Sequence, residues 1–213
     1  MENILVAGAN GTTGKQVVNL LKSSQYFNPV AMVRNEDQIK QFKDDGIDVV
    51  LGDLQKDLAH VVKNTDKIIF AAGSGGKQVV EVDQEGAKRL IDVSKMANVK
   101  KFVMLSSMGA DKPEEADDLQ EYLKAKHKAD VHLQNSGLNY AIVRPGTLNN
   151  NKGKGKIELS EKLNKRGEIS RADVARTLVQ AVHDNAPNHS TFEILEGDIL
   201  IGKAFDKLND NVS

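Results

Sequence analysis

The sequence predicts an α/β fold: a doubly wound parallel sheet with helices on both faces, in three layers. Two observations carry this. Short apolar, β-branched runs alternate with longer amphipathic stretches along the 213 residues, and a glycine-rich turn follows the first run. The runs are Asn3 to Ala7, Pro29 to Val33, Ile47 to Leu51, Lys67 to Ala71, Lys101 to Leu105 and Asn139 to Val143. Their near-continuous apolar character is that of strands buried on both faces. Between them, Thr13 to Ser24 carries Val17, Val18, Leu20 and Leu21 on one helical face, and Val79 to Ala97 and Leu119 to Asn135 form longer helices. Alternation of this kind requires right-handed crossovers.

The later elements are marked by their ends. Ser136-Gly137 stops a helix. Ser170-Arg171-Ala172-Asp173 has the form of a capping box, with Ser170 as the cap and Asp173 reaching back, opening a helix to about Asp184. Thr191 to Leu195 reads as a late strand and Ile199 to Ile201 as another. The polar, glycine-rich stretch Asn149 to Lys156 reads as a mobile loop, and Asn209 to Ser213 is expected to fray. The segment after that loop is too short for a second large core, so residues 1–213 are read as one domain.

Composition narrows the function. A formal net charge of −1 provides no field to attract nucleic acid or anionic lipid. The absence of cysteine removes disulfides, thiolate metal sites and a cysteine nucleophile. The five histidines show no ligand spacing, so no metal is expected. No apolar run approaches the roughly 18–20 residues of a membrane span. The opening run has neither the basic flank nor the long apolar stretch of a signal peptide, which points to the cytoplasm. Oligomeric state, monomer or homodimer, is not legible.

Gly8-Ala9-Asn10-Gly11-Thr12-Thr13-Gly14 spells G-x-x-G-x-x-G between the first strand and the first helix. One glycine permits a tight turn, one lets main-chain N–H groups approach a pyrophosphate, and one lets helix and strand pack closely. The helix N-terminus adds partial positive charge. A dinucleotide of Rossmann type is therefore expected here, held by Gly8, Asn10, Gly11, Thr12, Thr13 and Gly14. The second strand ends in Arg34, where NAD-binding proteins often place an acid for the ribose hydroxyls. A guanidinium suits a 2′-phosphate, so NADP is favoured over NAD. Asp53 and Leu54, after the third strand, flank the adenine, or Asp53 caps a following helix.

At this point the chain resembles the atypical short-chain dehydrogenase/reductase proteins with an NAD-dependent epimerase-like or NmrA-like core. The resemblance runs from Asn3 to about Gly197. It rests on Val6 to Gly14, Gly52-Asp53-Leu54, Lys101 to Ser107, Tyr122 to Lys126, Ser136 to Gly146 and Ile169 to Ala175. It implies a Rossmann fold with NAD(P) at the carboxyl ends of the strands and a small C-terminal segment, about residues 147–213, capping the substrate. It implies that Ala71, Ala72 and Gly73 pass beside the cofactor, and that Arg144 and Pro145, with Gly146 and Thr147, turn near the nicotinamide.

Tyr122 and Lys126 stand four apart on a helix and share a face. They match the family's Y-x-x-x-K pattern, in which the phenol exchanges a proton with the substrate oxygen and the lysine holds the cofactor ribose. Ser107 matches the serine that hydrogen-bonds the same oxygen, with Ser106 beside it as the second choice and a cofactor neighbour. Asp83 stands where related enzymes often have Asn. The acidic run Glu114 to Asp118 reads as a solvated lead-in to the helix. Lys152, Lys154 and Lys156 read as loop lysines in solvent, or as a clamp on an anionic ligand.

These residues point to an NADP-dependent oxidoreductase or epimerase-like enzyme acting on a small carbonyl or alcohol. Two other readings stay open. One is an NAD(P)-binding redox sensor without turnover; the other is an NADPH-dependent flavin or tetrapyrrole reductase that needs no tyrosine.

Overall fold

A computed structural model describes residues 1–116 and 118–212; Asp117 of the acidic run and Ser213 of the expected frayed end lie outside the described residues. Eleven strands and six α-helices are described. They are β1 (Glu2–Ala7), α1 (Thr12–Lys22), β2 (Phe27–Val33), α2 (Asp37–Asp44), β3 (Asp48–Leu51), β4 (Lys67–Phe70), α3 (Ala87–Met96), β5 (Lys101–Leu105), α4 (Gln120–Gln134), β6 (Tyr140–Pro145), β7 (Thr147–Asn149), β8 (Lys156–Ser160), β9 (Glu168–Ser170), α5 (Arg171–Val182), β10 (Ser190–Glu196), β11 (Ile199–Leu200) and α6 (Ile201–Val212). The main sheet has the order β11-β8-β10-β6-β5-β4-β1-β2-β3, and β7 pairs with β9 in a small second sheet. β1 to β6 and β10 run parallel, while β8 is antiparallel to β10 and β11.

The pleat sends alternate residues of β1 to opposite faces. Ile4 and Val6 pack with Val17, Val18 and Leu21 of α1 and with Val174, Leu178 and Val182 of α5. Leu5 and Ala7 pack with Leu90 and Ile91 of α3 and with Ala129 and Leu133 of α4. Both faces are covered, which explains the unbroken apolar runs. β2 begins two residues before Pro29. The pairing with β3 starts only at Val30, so the proline falls where its missing N–H breaks no ladder with that strand.

The expected helix from Val79 is two helices. A π-helical stretch, Val79–Gly86, precedes α3 and buries Asp83, Gln84 and Gly86. A side chain at Gly86 would meet the Leu54 side chain at 2.8 Å, so the junction needs glycine. Residues 54–64 form turns rather than a helix. Asp53 is therefore no helix cap; its carboxylate accepts from the Gln55 N–H at 3.0 Å. Past β11 the chain continues as α6, which seats Ala204, Phe205 and Leu208 in the core.

Topology fixes the place for a ligand. The chain winds outward from β1 to β3, returns, and winds the other way from β4. The crevice between β1 and β4 at their carboxyl ends is the switch point where open sheets of this kind bind ligands.

Candidate functional site

Gly8 leaves β1 with φ +84°, a left-handed conformation that favours glycine. A side chain there would lie 2.6 Å from Ala72 Cα, so the loops after β1 and β4 touch at the crevice. A side chain at Gly14 would lie 2.0 Å from the Gly8 carbonyl oxygen. The turn closes through the Gly11 N–H donating to Gly8 O at 2.9 Å. Gly11 is the N-cap of α1, with extended backbone, no side-chain cap and no acid in the first turn. The main-chain N–H groups of that turn thus face the crevice mouth without a built-in anion. Asn10 is half-buried, Thr12 exposed and Thr13 buried. This cradle fits a diphosphate.

Arg34 lies exposed just past β2. Its N–H and that of Asn35 donate to the Gln38 side-chain oxygen at 3.1 and 3.4 Å, which fixes the turn under the guanidinium. Of the pair after β3, Asp53 is half-buried, whereas the Leu54 side chain enters the core and its carbonyl accepts from Arg89 at 2.8 Å. Ala71 and Ala72 are half-buried and Gly73 is exposed at the crevice.

Tyr122, Lys126 and Asp130 stand one turn apart on the inner face of α4. Lys126 is 3% exposed and donates to the Leu105 carbonyl at 3.1 Å, which pins α4 to the end of β5. Its ammonium lies 5.6 Å from the Tyr122 ring centre and 3.6 Å from Asp83 Oδ1. The Asp83 carboxylate also accepts from the Ser74 N–H at 3.0 Å. Ser107, two residues past Leu105, is half-buried, and its hydroxyl donates to the Met108 carbonyl at 3.2 Å.

Asp130 is a site residue that sequence reasoning misses, although its place four residues after Lys126 is a readable signal. It is fully buried and takes the Ser106 hydroxyl at 2.8 Å and two Arg144 N–H groups at 3.1 and 2.9 Å. Burial pushes its carboxyl above the ordinary carboxylate range, against the pull of Arg144 and Ser106. Ser106 and Ser107 are thus both hydrogen-bonded, Ser106 to a buried carboxylate and Ser107 to the Met108 main chain. The Arg144 guanidinium is held by the same carboxylate. Beyond Arg144 the charges continue through Asp111 at 3.8 Å, Lys162 at 2.6 Å from Asp111, and Glu193 at 2.9 Å from Lys162.

The stretch after β7 is tied down by the first turn of α5. Arg171 donates to Leu148 O and Asn150 Oδ1 at 3.3 and 2.9 Å, and Asp173 accepts from the Lys154 and Gly155 N–H groups at 2.8 and 2.7 Å. Half of the capping box forms: Ser170 Oγ accepts from the Asp173 N–H at 3.1 Å, and the Asp173 carboxylate reaches back to the Ser170 hydroxyl at 3.0 Å rather than to its main chain. Of the loop lysines, Lys154 pairs with Glu196. No group of metal-ligating side chains occurs among the described residues, and no described helix is long and apolar enough to cross a membrane.

The fold and this site define an NAD(P)-binding protein of Rossmann type. A family model described as NAD(P)H-binding matches residues 8–185, and the chain belongs to that family, among the atypical short-chain dehydrogenase/reductase proteins. It is 37% identical over 213 residues to an uncharacterized sugar epimerase, YhfK, of Bacillus subtilis, covering 96% of this chain and 99% of the relative. Among solved structures it is similar to a Bacillus halodurans protein named as an NAD-dependent epimerase/dehydratase, with TM-score 0.93, 35% identity, and coverage of 97% and 100%. It is also similar to ChuY, an anaerobillin reductase from Escherichia coli O157:H7, with TM-score 0.80, 25% identity, and coverage of 92% and 98%. These place the chain in an oxidoreductase and epimerase family.

Proposed function

We propose that the protein is an NADP-dependent oxidoreductase that interconverts a small carbonyl compound and its alcohol. The observation that carries this reading is the Lys126 ammonium, buried against Leu105 O with the Tyr122 ring 5.6 Å away. A buried ammonium held with Asp83 and a tyrosine in a crevice is the kind of charge cluster found at functional sites. The α1 N-terminus and the glycine turn hold the diphosphate, Arg34 meets the 2′-phosphate, and Lys126 holds the ribose beside the nicotinamide. The bound coenzyme supplies the hydride. Ser107 donates a hydrogen bond to the substrate oxygen, and Tyr122 gives that oxygen its proton in reduction and takes one in oxidation. Residues 147–213 border the substrate, with the loop after β7 held ready by Arg171 and Asp173. The protein works as a single domain in the cytoplasm.

The test is Tyr122→Phe. NADPH affinity stays within about twofold, and carbonyl reduction falls by roughly 100-fold or more, the usual worth of a positioned acid. Turnover unchanged by the substitution would favour a second reading, an NADPH-dependent tetrapyrrole or flavin reductase. That alternative draws support from the likeness to ChuY.

A further inference from the structure

The floor of the site holds an ion pair that hydride transfer does not by itself explain. Lys126 and Asp83 are 3% and 1% exposed, and Nζ and Oδ1 are 3.6 Å apart. Direct charge-assisted hydrogen bonds of this type measure about 2.7–2.9 Å, so the two groups act on each other chiefly through charge. Each has a firmer partner elsewhere: Ser74 N–H for Asp83 and Leu105 O for Lys126. The carboxylate lies directly under the loop after β4, where a side chain on Gly73 would come within 3.3 Å of Oδ1. The Tyr122 ring takes another side of the same ammonium.

On the turn packed against α4, Glu115 pairs with Lys112 at 2.8 Å and Glu114 is exposed. Asp130, one turn on from Lys126 along α4, is paired with Arg144 from β6 at 2.9 Å, and the Lys126 charge acts on it more weakly. Glu85 on the π-helical stretch bonds Gln84 and Lys88, and Glu81 on the same stretch is exposed. His127, next to Lys126 in sequence, holds the Ala110 carbonyl at 2.8 Å. Among the described residues, Asp83 is the carboxylate within ion-pair distance of Lys126.

We propose that Asp83 is a positioning residue whose negative charge offsets Lys126, so that Tyr122 stays a phenol until it delivers its proton. The proposal rests on the reading of Tyr122 as the proton donor. An uncompensated ammonium draws a neighbouring phenol toward phenolate; a carboxylate beside the ammonium cancels much of that pull. In reduction the carbonyl carbon gains the coenzyme hydride and the oxygen gains the Tyr122 proton. The phenolate left behind is re-protonated from solvent. A tyrosine already ionised has no proton to give, so the pair suits the reductive direction.

The experiment follows tyrosine ionisation by NMR on protein carrying isotope-labelled tyrosine. The chain has three tyrosines, and Tyr122→Phe identifies the signal. Asp83→Asn keeps the shape and removes the charge; the Tyr122 midpoint moves down by about one pH unit, and the alkaline limb of kcat moves with it. Lys126→Met removes the opposite charge and moves the midpoint up, which keeps the test open if Asp83→Asn fails to fold. A midpoint unmoved in either variant overturns the proposal. A uniform loss of kcat with no shift of the limb assigns Asp83 a purely structural role and overturns it as well. Failure of the native protein to reduce any carbonyl with NADPH would instead remove the oxidoreductase reading, because the midpoints are measured without turnover.

Discussion

A buried carboxylate at Asp130 takes the Ser106 hydroxyl and two N–H groups of Arg144, while the neighbouring Ser107 hydroxyl bonds the Met108 carbonyl. No pattern in the sequence separates Ser106 from Ser107; only the direction of each side chain at the end of β5 does. Arg34 is the opposite case, because its place at the end of the second strand is readable and its guanidinium is left exposed. A hydrogen-bonded contact with a charged group is worth about 1.5–3 kcal/mol, or roughly 10- to 100-fold in affinity. Arg34→Ala is therefore expected to weaken NADPH binding by about that factor while leaving NADH unchanged, measured by calorimetry at low and high salt. The gap should narrow as salt rises, since the contact is exposed. Equal affinities of the native protein for the two coenzymes would remove the 2′-phosphate argument. The glycine turn, Tyr122 and Lys126 are legible because backbone sterics and helical spacing are local properties. Asp130, Arg171 and the direction of Asp173 are obscured because their partners are distant in sequence.

Elements built on local rules are the ones the sequence specifies best. β5 and β6 announce themselves by continuous burial, and α5 by its Ser170 cap. α6 also carries a signal, with apolar residues at 201, 204, 205 and 208, but the expected strand at 199–201 hides its start. β7, β8 and β9 are short and polar, and exist through pairing rather than propensity. The loop before β8 reads as mobile in sequence, yet the start of α5 holds it. Burial alone would raise the Asp173 carboxyl; the Lys154 and Gly155 N–H groups, Arg176 and Ser170 outweigh burial and hold it below the ordinary value. A carboxyl lowered by folding adds stability above its unfolded value, and that stability is lost as pH falls through the folded one. Asp173→Asn should therefore cost about 1–3 kcal/mol near neutrality and flatten the acid side of the stability profile in urea titrations. Hydrogen exchange at Lys154 and Gly155 should quicken. An unchanged acid limb would show that the loop is held by something other than this charge.

Across the whole molecule, the two ends of the sheet carry different buried charges. The carboxyl ends of the strands carry the crevice, while the amino ends of β4 and β5 carry Lys67 and Lys101, side by side in register. Lys67 is 1% exposed and pairs with Glu2 and Asp184 at 2.7 and 2.6 Å, joining β1 to the residues just past α5. Lys101 makes no such ion pair among the described residues; its ammonium donates to the His183 and Ala186 carbonyls at 3.3 and 2.9 Å, with the Asp184 charge farther off. Burial, with Lys67 as a like-charged neighbour, brings Lys101 down from 10.5 to about 8. The folded state therefore releases this proton more readily than the unfolded chain does. Between about 8 and 10.5 the unfolded chain binds more protons, so stability rises with pH across that window, and the gain is gone once pH has fallen through about 8. Lys101→Met removes the titration. Measured against that variant by chemical denaturation, the native protein should gain of the order of 2–3 kcal/mol between the two ends of the window. A difference that stays constant with pH would mean that the two carbonyls fully compensate the buried charge, and that this pole of the sheet carries no strain.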